Sequence, residues 1–91
     1  MQSHEEERFR RGWLWKRSSW GYAIRVPMPN YLDYRDEHGV FRLVGAEIRS
    51  PRYGFAYRVD SIPETPGRSR SEVASNIRRI CEHFGWIVVE E

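Results

Sequence analysis

From Trp20 to Val26 apolar and polar positions alternate, with Trp20, Tyr22, Ile24 and Val26 on one side and Gly21, Ala23 and Arg25 on the other. A period of two is that of a strand with one buried face, and Pro27 and Pro29, lacking ladder donors, are expected to end it. Two further runs, Tyr31 to Arg35 and Val40 to Val44, flank Asp36-Glu37-His38-Gly39. Turn-forming acids followed by a glycine that tolerates positive φ predict a hairpin there. The second run is expected to continue through Gly45 and Ala46 to Ile48. Ser50-Pro51-Arg52-Tyr53-Gly54 reads as a turn, after which Phe55, Tyr57 and Val59 share a face opposite Ala56, Arg58 and Asp60.

The period changes beyond the proline-rich loop from Ile62 to Gly67. Ser69 and Glu72 form a capping box, and Val73, Ile77, Ile80 and Phe84 recur at helical spacing, with Ala74 and Cys81 beside them. Gly85 is placed to take the left-handed conformation that closes a helix. Trp86-Ile87-Val88-Val89 is apolar on both faces, the pattern of a strand inside a sheet. At the other end, Ser3-His4-Glu5-Glu6 resembles a capping box, with Arg8, Arg10 and Arg11 late and Gly12 as a stop, so a short helix is expected over the first eleven residues.

These elements predict an α+β fold of β-β-β-β-α-β order. An antiparallel sheet of four to five strands carries one C-terminal helix on one face. Residues 1–19 read as a basic and aromatic extension, frayed or forming an edge strand, and residues 20–91 as a single α+β domain.

Composition narrows the function classes. In 91 residues there is one cysteine, Cys81, so no internal disulfide forms, and a reducing, cytoplasmic setting is expected. No apolar run approaches the roughly 20 residues of a membrane span. Glu5, Glu6 and Glu7 precede the apolar residues, unlike a signal peptide. The formal charge is +2, carried almost wholly by arginine, with Lys16 the single lysine. So small an excess is not the field of a dedicated nucleic-acid binder.

The local density of Arg8-Phe9-Arg10-Arg11-Gly12-Trp13-Leu14-Trp15-Lys16-Arg17 changes that picture in one place. Aromatics that stack on bases and cations that neutralise phosphates form the pattern of single-strand binders, which makes Arg8, Arg10, Arg11, Lys16 and Arg17 candidates for nucleic acid. The plainer reading is that the indoles rest on the sheet while the cations stay solvated. Tryptophan, tyrosine and arginine are also the residues that anchor protein interfaces, and Trp13, Trp15, Arg17, Arg52 and Tyr53 are the candidates for that role. A membrane-seeking arm is set aside, because the glutamate run opposes anionic lipid and no long amphipathic helix is present.

Catalytic and metal chemistry find no pattern. His4, His38, His83 and Cys81 do not stand at ligand spacing, and Cys81 reads as a small buried hydrophobe. Asp33, Asp36 and Glu37 near the hairpin match no calcium loop. Glu47 and Asp60, in or beside strands, read as ion-pair partners of Arg42 or Arg58, with a catalytic carboxylate as the remote alternative. Arg78 and Glu82, at i,i+4, predict a solvated helix face. No glycine-rich phosphate loop occurs, and no cofactor is expected.

A resemblance rests on Tyr34 with Gly39 in the hairpin, Gly45-Ala46-Glu47 after it, Phe55-Ala56-Tyr57, Ser61-Ile62, Ile77 and Ile80 of the helix and the closing Val88-Val89-Glu90. Over residues 31–91 the chain resembles a family of small bacterial α+β proteins, the immunity proteins of polymorphic toxin systems. The resemblance implies a non-enzymatic domain that blocks a toxin by covering a specific patch, with another protein as partner. Nucleic-acid binding through the arginine-tryptophan stretch is the alternative, and no membrane partner is expected.

Overall fold

The structure, a computed structural model, describes residues 6–48 and 54–91. It is an α+β fold in which a five-stranded antiparallel sheet, a smaller three-stranded sheet and one helix enclose a common core. The larger sheet, A, runs in chain order: β1 (Phe9–Arg11), β2 (Lys16–Ser18), β3 (Ala23–Met28), β4 (Tyr31–Asp36) and β5 (Gly39–Val44). Sheet B holds β6 (Ala46–Ile48), β7 (Gly54–Tyr57) and β8 (Ile87–Glu90), in that spatial order. Between β7 and β8 come a short 3₁₀ turn (Val59–Ser61) and helix α1 (Arg70–His83).

The β4–β5 hairpin forms where the alternation places it. Asp36 pairs with Gly39 across a two-residue turn, and the Asp36 carboxylate accepts from the His38 N–H at 2.8 Å. Gly39 has φ +125°, a conformation side chains rarely adopt. Helix α1 also starts and stops on its signals. Ser69 Oγ accepts from the Glu72 N–H at 3.2 Å. Gly85 (φ +79°) donates to Glu82 O while Trp86 donates to Cys81 O, the paired bonds of a Schellman closure. Its buried stripe, Val73, Ala74, Ile77, Ile80 and Cys81, packs on Ile24, Leu32, Tyr34 and Leu43 of sheet A and on Phe55 and Tyr57 of sheet B. Each such aliphatic side chain removed from water contributes about 1.5–3 kcal/mol before entropy is charged against it.

Five expectations are corrected. Phe9–Arg11 is a strand rather than the end of a helix. A short helix with one apolar anchor is marginal in water, whereas β1 gains a ladder with β2 and stacks Phe9 on His83 at 4.6 Å. Residues 3–5 of the supposed cap lie outside the described residues. Pro27 sits within β3, where the register with β4 is irregular. Because β2 pairs β3 only at Ala23 and Ile24, no ladder donor is required at Pro27. The run from Val40 to Ile48 breaks at Gly45. A Cβ there would lie 2.1 Å from Ala56 O, so this close approach of backbones is where the chain leaves sheet A for sheet B. Val59 belongs to the 3₁₀ turn rather than to a strand. Finally, among the described residues β8 is an edge strand, pairing with β7 alone and in parallel, with Ile87 and Val89 partly exposed. Helix α1 supplies the crossover that a parallel pair needs.

Candidate functional site

Directly opposed residues in an antiparallel ladder share a face, so register sorts the side chains of sheet A. Ile24, Leu32, Tyr34 and Leu43 take the face under α1. The alternate positions form two rows on the face turned away from α1, part of which the β1–β2 loop covers. One row runs Arg10, Arg17, Ala23, Arg35, Val40 across all five strands. The next runs Arg25, Asp33, Arg42 across β3, β4 and β5. Five arginines therefore share these two rows with one acid, Asp33, while Asp36 and Glu37 line the depression beside Arg17 and Arg35.

That carboxylate is held tightly. Asp33, 2% exposed, accepts from Arg42 Nε at 2.7 Å and Nη2 at 3.1 Å, and from Arg25 Nε at 2.8 Å. The Arg42 bonds, with those of Arg25, outweigh burial and keep its carboxyl below the usual range. A tight turn, Gly12 N–H to Trp15 O at 2.9 Å, folds the β1–β2 loop and lays Trp15 on the same face. The guanidinium carbons of Arg25 and Arg35 lie 4.6 and 4.3 Å from the centroid of its ring, and that of Arg42 lies 5.2 Å from Tyr31. Three of the five arginines are thus fixed by an aromatic ring or by Asp33. Arg10 and Arg17 stand opposite each other with no ion-pair partner among the described residues.

The strand period separates the basic stretch that reads as one cluster in the sequence. Arg10 and Arg17 belong to the open face, while Arg11 and Lys16 alternate to the other side. There the Lys16 ammonium lies 4.4 Å from the Trp86 ring and Arg11 4.9 Å from Phe84. Burial and the neighbouring Arg11 push the Lys16 amine down. Arg8 precedes β1 and is exposed. Of the expected protein anchors, Trp15 and Arg17 meet on the open face, and Trp13 stands at the hairpin tip, 95% exposed beside the exposed Leu14. Only Trp15 of these two indoles rests on the sheet. Arg52 and Tyr53 lie outside the described residues.

Several other ionisable groups are paired among the described residues. Glu7 accepts from Ser18, Tyr22 and Arg79, the last at 2.7 Å. Burial opposes its ionisation, but these three bonds together hold the carboxyl below its ordinary value. Arg68, buried against Phe41, donates to Asp36 and to Gly39 O. Asn76 donates to the Tyr34 hydroxyl at 3.0 Å, and burial pushes that phenol up to about 12. Asp60 pairs with Arg58 locally, at 2.8 Å in an exposed turn, while Arg42 goes to Asp33. Arg78 reaches Glu90 of β8 at 2.7 Å rather than pairing with Glu82 on its own helix. Burial also lifts the Cys81 thiol to about 12, the state of an unreactive core group.

Sequence reasoning missed the open-face rows and the Asp33, Glu7 and Arg68 nodes. The only advance signal was an arginine on the outer phase of each apolar alternation. Among the described residues no three His, Cys, Asp or Glu side chains converge as a metal site, and no helix is long and apolar enough to cross a membrane. No protein-family model, curated protein or solved structure matches the chain.

Proposed function

We propose that the chain is a small, non-enzymatic protein-binding domain that seats an acidic partner on the open face of sheet A, in the manner of an immunity protein covering a toxin domain. One observation carries this reading: five arginines against a single buried carboxylate in the two strand rows of the sheet face turned away from α1. Potentials that match across an interface steer encounter and reject wrong partners, so such a face selects negative surfaces. Arginine suits the task because its planar fork meets carboxylates two bonds at a time. The exposed Trp13 and Leu14 adjoin the face as apolar contacts. A cytoplasmic setting accords with the single buried thiol.

The second reading is nucleic acid, favoured by the guanidiniums standing beside Trp15 and Tyr31 on one sheet face. Affinity capture from extract of the native host, with and without nuclease, separates the two. A protein partner stays bound after nuclease treatment and is lost from the R17E/R35E variant. Loss of all bound material on nuclease treatment moves the assignment to nucleic acid.

A further inference from the structure

We infer that the element this face receives is a helical protein segment with carboxylates along one side, laid across the strands. The inference rests on the partner-binding reading and adds the chemistry and geometry of what is bound.

The spacing of the first row supplies the geometry. Neighbouring strands lie about 4.8 Å apart, so Arg10 and Arg17 are separated by about 5 Å and Arg17 and Arg35, two strands on, by about 10 Å. A helix rises about 1.5 Å per residue, so acids at i, i+3 and i+10 fall about 5 and 10 Å apart in succession and on the same side. Beyond Arg35 the row ends on Val40, which is well exposed, and Val44, also exposed, stands four residues along the same strand beyond Arg42. Val40 offers an apolar seat at the end of the cationic line.

Two further observations favour carboxylates over bases. The aromatic rings on this face already carry guanidiniums: Arg25 and Arg35 on Trp15, and Arg42 on Tyr31. Single-strand binding draws on open rings that bases can stack on. Arg10 and Arg17 are meanwhile set face to face with no ion-paired acid among the described residues, an arrangement that costs stability and is relieved when an anion bridges them. The chain's own helix is a poor occupant, since α1 shows Arg78 and Arg79 beside Glu72 and Glu82 and offers no line of acids.

The test uses three labelled probes at 50 and 200 mM salt: a helical peptide with glutamates at i, i+3 and i+10, one of equal composition with its glutamates spread around the helix, and a dT15 oligonucleotide. The one-sided peptide is expected to bind at least about tenfold more tightly than the spread one, and to weaken as salt screens the charges. R17E/R35E should weaken it at least about tenfold, and W15A, which removes the ring holding Arg25 and Arg35, severalfold without any change of charge. Circular dichroism and melting curves of both variants establish that they fold; should either fail to fold, R17A takes its place. Equal binding of the two peptides, or tighter binding of dT15, overturns the inference. If neither peptide binds while nuclease-resistant capture from host extract still depends on Arg17 and Arg35, the helical-carboxylate inference falls and the protein-binding reading stands.

Discussion

The two sides of sheet A treat arginine in opposite ways. Toward the helix, Arg68 and Arg79 are each anchored by a carboxylate, Asp36 and Glu7, and by further polar atoms around them. On the open side one carboxylate, Asp33, serves two arginines, Trp15 steadies a third, and Arg10 and Arg17 face each other with no ion-pair partner among the described residues. A domain of this size has little stability to spare. Two like charges in register are therefore a cost, which the covered side offsets for Arg11 and Lys16 by laying both cations on Phe84 and Trp86. Arg10 and Arg17 have no such ring or acid among the described residues, and the contrast separates side chains that hold the fold from side chains presented to something else.

The sharpest way to break the covered side is Ile77→Ala, which leaves a cavity beneath the helix. It should cost about 2–5 kcal/mol in chemical denaturation and leave intrinsic peptide affinity unchanged in the folded fraction. Gly45→Ala comes next. Its Cβ would meet Ala56 O at 2.1 Å, so the junction between the sheets must shift, at about 1–3 kcal/mol.

Acid titration probes both sides at once. Asp33, Asp36 and Glu7 all have folded-state carboxyls depressed below their ordinary values. Their contribution is complete above the unfolded carboxylate pKa, near about 4, and is lost as pH falls through the lower folded values. Melting temperature should therefore drop progressively below about pH 5. E7Q, which removes one of these titrations, should lower the midpoint at neutral pH and flatten the acid dependence; an unchanged slope would exclude Glu7 from it. The smallest effect has the opposite sign. Arg10→Glu replaces a repulsive cross-strand pair with an attractive one and should stabilise the protein by about 0.2–1 kcal/mol while weakening acidic-peptide binding. A loss of stability, or binding left intact, would erase the proposed difference between the sides.

What could be read in advance divides along the same line. Helix α1 was legible because Ser69, Glu72, the Val73 to Phe84 spacing and Gly85 are all local signals. The β4–β5 hairpin was legible because turn and alternation agree within fourteen residues. Strands β1 and β2 hold three residues each, too few to display a period, and their basic run looked like one surface until pairing divided it. The role of Asp33 was hidden for another reason. Its partners lie eight and nine residues away, on different strands, and only register makes them neighbours. The edge position of β8 was missed because an apolar tetrapeptide reads as central, whereas Trp86 and Val88 pack inward and Ile87 and Val89 do not.

The parallel pairing of β7 with β8 also sets an order of assembly. The β4–β5 hairpin can zip locally, within about 1–10 μs. Gly54 meets Ile87 only after the intervening loop and all of α1 have been brought into place. Sheet B is therefore expected to close after the hairpin, because Phe55 and Tyr57 gain their full cover only once α1 and the C-terminal strand are in place.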